Sequence, residues 1–541
     1  MQQLQSPDLI GSITPVADQP IVRSATATVA FVGRALRGPV NRPCVLRNFG
    51  EYQTIFGGLW QPSALSYAIE QFFESGGVLA SVVRVVNGGR PVSLTLPVSK
   101  TQVLTLEAVC PGTREFLRAA VDYDNIPPAD LQQFNLVVQR VRAPGSEHVE
   151  DQEIYTRLSM DPGSVRYVSS MLASSSLVRV RGSVPMERPR ETHRADGRSL
   201  AAYANSNPDG DDGGPLTDYD VIGSATDGTG LFAFSTEQRF NFLCMPPLAR
   251  DQPLGPSVLL VAARFCRERR ALLFIDPPPS WDSPDAAFEG MRSFAFTSDN
   301  AVMYFPAIQA YDRLRGHYAT FAPSAAAAGM LSRLDGLRPV WAAEDGDDAP
   351  LRPGLKPGCA VSDEWRARLA QVGINTLVAT RSRRIVPART LAGASASTAD
   401  WRYLAAKRFA LLVVDSIESG TRWSLAALPG VTLWKRLHAQ VADFFSSLEA
   451  EGAFSGKTPG TGWFVIADER INTPRHAGEV RLLVGCGAQR EGEWNCWLVT
   501  HTTAGSRVQQ VSLNRLQSAA GQPPMDPDLD VATVLEERFF G

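Results

Sequence analysis

Neither sign of charge prevails in this sequence: 53 lysines and arginines stand against 56 aspartates and glutamates, a formal net charge of −3. A sequence-independent grip on nucleic acid needs an excess of cations on one face, so no nucleic-acid partner is expected. Long hydrophobic runs are missing too. No stretch approaches the roughly 18–20 apolar residues that a membrane helix needs, and direct membrane insertion is not expected. Residues Met1 to Asp8 hold no basic cluster followed by an apolar run, so no secretory signal is expected either. Cysteine is scarce, scattered and odd in number (Cys44, Cys110, Cys244, Cys266, Cys359, Cys486, Cys496). That pattern fits reduced thiols in a cytoplasmically made chain better than a disulfide framework.

Recognisable chemistry is equally thin. The histidines (His148, His193, His317, His438, His476, His501) lie far apart, with no His-x-x-x-His and no Cys-x-x-Cys, which argues against structural zinc. A Gly-x-Ser-x-Gly elbow is absent. Gly452-Ala-Phe-Ser-Gly456-Lys457-Thr458 resembles a nucleotide-binding loop but places three residues between its glycines where four are needed. It also follows a long helical pattern, whose partially negative end repels phosphate. Asn205-Ser-Asn-Pro-Asp-Gly210 echoes a calcium loop, yet Leu216 stands where the bidentate glutamate belongs. No catalytic residue, metal ligand or cofactor is therefore expected. Arg381-Ser-Arg383-Arg384 is the one compact basic cluster, a solvated turn or a docking patch for an acidic partner.

What is present is an ordinary globular composition, 44% hydrophobic and 20% charged. At 541 residues the chain exceeds one hydrophobic core, and about three to four domains are expected. Residues 1–25 carry little helical periodicity and are broken by Pro7, Pro15 and Pro20, reading as a frayed end or as an extended arm. Thr28–Gly33 and Val78–Val86 read as buried strands flanking a helix over Ser63–Phe73, a βαβ-like start to an α/β domain. Residues 91–218 carry short alternating segments (103–106, 134–139, 177–181) and end in a turn-dense polar loop, so they read as a β-rich insertion. Strand, helix and strand then resume over 240–276. Gly346–Gly358 reads as a boundary. Beyond it the pattern predicts a helix near 362–371, a strand at 376–379 and a helix over 432–451 with Trp434, Leu437, Val441, Phe445 and Leu448 on one face. Strands at 463–466, 480–484 and 496–500 follow.

Several blocks, in one order, resemble the phage tail sheath family. Ala30-Phe-Val-Gly33, Arg37-Gly-Pro-Val-Asn-Arg-Pro43, Phe49-Gly-Glu-Tyr-Gln-Thr-Ile-Phe-Gly-Gly58 and Phe72-Phe-Glu-Ser-Gly-Gly77 with Val82-Val-Arg-Val85 are similar to its opening. Ala108-Val-Cys-Pro-Gly112, Phe134-Asn-Leu-Val-Val138 and Arg166-Tyr-Val168 resemble its insertion. Asp276-Pro-Pro278 and Ala322-Pro-Ser-Ala-Ala-Ala-Ala-Gly329, a proline–serine pair before a small-residue helix, resemble its middle. Gly373-Ile-Asn375, Ala388-Arg-Thr-Leu391, Trp401-Arg-Tyr403 and the helix near Trp434 resemble its C-terminal block. The family's Gly-Ala-Arg-Thr is Pro387-Ala-Arg-Thr390 here, and the region after 515 is longer and more polar.

The resemblance implies a multidomain sheath-type fold of mixed α/β (α+β) class with extended terminal arms. Its parts would be an N-terminal arm (1–25), a discontinuous middle α/β domain (26–90 with 219–360) and a β-rich outer insertion (91–218). A C-terminal α/β domain facing an inner tube (361–515) and a terminal arm or tail (516–541) would complete it. It further implies a helical homo-oligomer around an inner tube protein, joined by baseplate and tail-terminator or cap proteins, in a phage or tail-like particle assembled in the bacterial cytoplasm. Extended arms that add a strand to a neighbour's sheet would hold moving subunits together. Ile10, Ile13, Val16, Ile21 and Val22 are the candidate inter-subunit residues; Arg381, Arg383 and Arg384 are the candidate tube contact. The alternatives are another structural tail, tube or baseplate component, or an α/β hydrolase-type enzyme with a scattered site.

Overall fold

The computed structural model describes residues 19–192, 202–235, 238–250, 252–341, 350–380, 386–392, 399–454, 462–473, 476, 478–487 and 494–512. The chain divides into two compact units, residues 27–337 with 345–393, and residues 1–26 with 338–344 and 394–541.

In the first unit a seven-stranded sheet runs in the order Ile374–Thr376, Ala301–Phe305, Leu272–Ile275, Phe242–Cys244, Thr28–Gly33, Leu79–Arg84, Cys44–Leu46. Neighbours are parallel except the last pair, which is antiparallel. Thr28–Gly33 is apolar almost throughout because both of its faces are covered, as parallel sheets require. Ala30 and Val32 belong to a core shared with Val258, Ala262 and Phe265 of the helix Pro256–Arg269. Phe31 points the other way and meets Phe72 of the helix Ala64–Glu74, ring centroids 5.5 Å apart. That helix starts where Ser63 accepts the Ser66 amide and stops at Gly76, whose φ of 103° favours glycine.

The helix Ser324–Asp335 presents four buried alanines, Ala325–Ala328, and then Gly329. A Cβ on Gly329 would stand 2.3 Å from the Phe72 carbonyl oxygen. Small residues here let two helices approach more closely than larger side chains permit.

The β-rich part of this unit has its own apolar core, including Leu94, Leu104, Leu106, Phe134, Leu136 and Leu172. It holds two antiparallel sheets, Pro91–Pro97, Val103–Pro111 and Val178–Val180 in one, and Ala204–Asn205, Leu117–Asp122, Gln133–Val141 and Val149–Ser159 in the other. Val103–Pro111 alternates between buried and less buried positions, the pattern of a strand covered on one side.

Two sequence expectations change. The helix Asp363–Gln371 and the strand Ile374–Thr376 do not open the C-terminal domain at 361. Ile374 pairs in parallel with Met303, so this helix–strand unit extends the first sheet, and the C-terminal unit takes up at 394. The Pro- and Gly-rich stretch before it imitates a boundary, although Lys356–Pro357 pairs with Ile308–Asp312, which also pairs with His317–Phe321.

The second unit stacks the helices Leu404–Gly420 and Val431–Ala450 on one side of a meander. Its order is Trp463–Ile466, Val480–Gly487, Trp494–Thr502, Gly505–Ser512, antiparallel throughout. The last described strand pairs with its own chain, from Thr502 opposite Gly505 to Asn495 opposite Ser512, and the terminal arm or tail expected over 516–541 lies outside the described residues.

Candidate interaction surfaces

Residues 19–26 lie along the second unit of their own chain. Gln440 Nε2 donates to the Gln19 carbonyl at 2.8 Å, while its Oε1 accepts from Trp423 Nε1 at 2.9 Å, so the amide is oriented from both sides. The Ser24 amide donates to Ser416 Oγ at 2.9 Å. Arg408 donates to the Thr26 carbonyl at 3.4 Å. Arg23 pairs with Glu451 through two contacts, 2.8 and 2.5 Å, and lies over the Trp341 ring at 5.9 Å. Ile21 is 8% exposed and belongs to the core formed by Val413, Ile417, Leu437 and Val441, whereas Val22 is 80% exposed. A Cβ on Gly420 would meet Ile21 Cγ1 at 2.8 Å, so a glycine there leaves room for the isoleucine.

Of the predicted arm residues, then, Ile21 and Val22 are placed, one inside and one outside. Ile10, Ile13 and Val16 lie outside the described residues, as do Arg381, Arg383 and Arg384. The partners of residues 19–26 escaped the sequence reading. No local pattern links Arg23 to Glu451, 428 positions away.

The outer strands of the meander, Trp463–Ile466 and Gly505–Ser512, each pair with one described neighbour only. Among the described residues their other edges carry no strand. An open edge of this kind is where an extended segment can add a strand.

His501, on the third strand, is fully buried between Thr421 Oγ1 at 2.8 Å and Ser506 Oγ at 2.7 Å. Burial pushes its imidazole down to about 4. A histidine in the unfolded chain titrates near 6.5, so between these values the unfolded state binds more protons. Stability contributed by the neutral ring is complete above pH 6.5 and is lost as pH falls toward 4, by about 3 kcal/mol. Denaturant titrations across that range should show this slope in the native chain and a flatter one in His501→Gln. Equal slopes would refute the assignment.

The acidic loop that echoes a calcium site is committed elsewhere. Asp209 accepts from Ser93 Oγ at 2.6 Å and the Ser93 amide at 2.8 Å, which holds it below the usual carboxylate range. Asp212 accepts from the Thr113 amide at 2.7 Å and Thr113 Oγ1 at 2.9 Å. These carboxylates tie the loop to the strand Pro91–Pro97 and to the turn after Val103–Pro111 in its own unit. Of the nucleotide-loop lookalike, residues 452–454 follow the end of the helix Val431–Ala450, and 455–458 lie outside the described residues.

A crevice of about 420 Å³ opens at the carboxyl ends of the parallel strands, between Met245, Arg250, Asp276, Trp281, Phe294 and Phe321. Open α/β sheets commonly bind ligands in this place. Desolvation raises the Asp276 carboxyl to about 6, but its oxygens accept from the Ser324 amide at 2.8 Å and Ser324 Oγ at 3.0 Å, at the start of the helix Ser324–Asp335. Arg250 pairs with Asp312 at 2.5 Å and lies over the Tyr67 and Phe321 rings at 4.6 and 4.7 Å. Arg250 and Asp276 are thus engaged in holding elements together. Among the described residues, the crevice lining includes Thr320, Asp276 and Asp282 and no histidine, cysteine, serine or lysine.

No protein-family model matches the chain, and no curated protein matches its sequence. Solved structures do match its fold. The sheath tail protein Lin1278 from Listeria innocua aligns with a TM-score of 0.56 at 12% identity, covering 92% of this chain and 97% of that one. The sheath of an extracellular contractile injection system, PVC, in its contracted state aligns with a TM-score of 0.51 at 14% identity, covering 91% and 96%. The chain has the multidomain fold of sheath proteins.

Proposed function

We propose that this chain is a structural subunit of a contractile sheath, one that polymerises as a helical tube around an inner tube and shortens to drive it through a target envelope. The observation that carries the reading is the fold likeness, which extends over nine-tenths of this chain and nearly all of each sheath protein compared.

The physical requirements of such a tube agree with the chain's parts. An open helix needs heterologous contacts that do not close into a ring. Strand addition keeps backbone hydrogen bonds while subunits rotate past one another. The open meander edges are suited to receive a strand, and the segment containing Ile10, Ile13 and Val16 is the proposed donor. Arg381, Arg383 and Arg384 are the proposed contact to an inner tube protein, and baseplate and terminator or cap proteins would close the two ends. The subunit would be made and assembled in the bacterial cytoplasm as part of a phage or tail-like particle. The shortening would release conformational free energy stored at assembly, without a nucleotide site in this subunit.

Negative-stain electron microscopy of the purified full chain tests the reading. Ordered hollow tubes of uniform diameter are expected as concentration rises. A chain that stays dispersed at high concentration, alone and with tube protein, would overturn it.

A further inference from the structure

The leader that reads as one arm in the sequence is bound within its own chain over residues 19–26. Up to residue 18 the chain is the proposed donor of a strand to another subunit. From Gln19 onward it is fastened to its own second unit at successive points: the Gln19 carbonyl by Gln440, Ile21 in the pocket beside Gly420, Arg23 on Glu451, the Ser24 amide on Ser416, and the Thr26 carbonyl by Arg408. Two residues later the chain enters the strand Thr28–Gly33.

We infer that residues 19–26 form a strap bound within their own chain, and that the inter-subunit arm ends no later than residue 18. The inference rests on the sheath reading only for what the arm does. Three features distinguish a strap from a passing loop. Its fastenings use both main chain and side chain and leave no described residue from 19 to 26 more than one position from one. Its apolar anchor enters the core between the two helices rather than lying on the surface. Its seat is shaped for it, because only a glycine at 420 leaves the volume that Ile21 occupies. A strap of this kind sets where the arm departs, so that tension on the arm is delivered to the helices Leu404–Gly420 and Val431–Ala450 rather than to the strand that follows.

The test is a crosslink. Cβ atoms at positions 21 and 420 lie 3.2 Å apart, slightly inside the usual span of a disulfide. The double variant Ile21→Cys with Gly420→Cys should, on mild oxidation, give a faster-migrating single-chain band on a non-reducing gel. The same band should appear whether the protein is dispersed or assembled, and neither single variant should give it. Ladders of linked chains in assembled tubes would overturn the inference, because the strap would then belong to a neighbour. Hydrogen exchange on the unaltered, dispersed full chain gives a second measure. The Ser24 amide should exchange at least about tenfold more slowly than an unstructured amide, and Ser416→Ala should remove most of that protection. Exchange of Ser24 at the unstructured rate would equally sink the strap. Neither result depends on whether tubes form, so failure of the strap and failure of the sheath reading are separable.

Discussion

A chain lacking residues 1–17 is expected to fold as the full chain does and to form no tubes. The sequence alone would place such a deletion at residue 22, the last of the candidate inter-subunit residues. The structure moves the cut. Removing Ile21 would empty its place in the core of the second unit, and burying an isoleucine contributes about 2–3 kcal/mol. Stopping at residue 17 leaves Ile21, Arg23 and Ser24 in their seats and removes only the segment with Ile10, Ile13 and Val16. Circular dichroism and the unfolding midpoint should match those of the full chain within experimental error. Tube formation should fall to background, because lateral contacts without strand addition have no shared backbone hydrogen bonds to hold subunits in register. Normal tubes from the shortened chain would reject the arm as the linking device. A shortened chain that unfolds early would instead show that the strap begins before residue 18.

The second large effect is on stability. Arg84 is 1% exposed, and its guanidinium donates to three backbone carbonyls: Ala35 at 3.1 Å, Gly38 at 2.7 Å and Pro111 at 2.8 Å. Pro111 is the last residue of a strand of the β-rich part, so one side chain ties that part to the end of the strand Leu79–Arg84 and to the loop after Thr28–Gly33. Burial pulls the Arg84 pKa below its ordinary value. Arg84→Leu would leave three carbonyls without these donors. Each buried group left unpaired costs about 1–3 kcal/mol, so a loss of about 4 kcal/mol is expected, read from denaturant titration. The β-rich part should also become more open to protease than in the native chain. Neighbouring fastenings, the Arg37–Glu150 pair at 2.6 Å and Arg34 donating to the Gly213 carbonyl at 2.8 Å, act in parallel and should keep it from detaching altogether. A loss below about 1 kcal/mol would show that water or a shifted side chain takes over the three acceptors.

Local signals carried much of the fold. The strand Thr28–Gly33 and the helix Val431–Ala450 were legible because their apolar positions recur at the strand or helix period, and Trp434, Leu437, Val441, Phe445 and Leu448 are all buried as that stripe requires. The helix Leu404–Gly420 was not legible. Lys407, Arg408, Asp415 and Glu418 are buried within it and break the apolar stripe. They are tolerated through partners brought in by the fold, such as Arg422 on Glu418 and the Trp401 ring 4.5 Å from Lys407. The failed nucleotide and calcium motifs were also readable without coordinates, since each lacks a residue at a fixed spacing.

What the sequence by itself determined about this protein is therefore the set of local elements, their order, and the absence of familiar site motifs, because period, caps and spacing are properties of neighbouring residues. Only the tertiary structure decided which sheet the strand Ile374–Thr376 joins, and that Gly505–Ser512 closes its own meander. It alone decided that residues 19–26 are fastened to the second unit of their own chain. Those outcomes depend on contacts between residues separated by as many as 428 positions, and no pattern within a stretch of chain records what will lie across from it once the chain has folded.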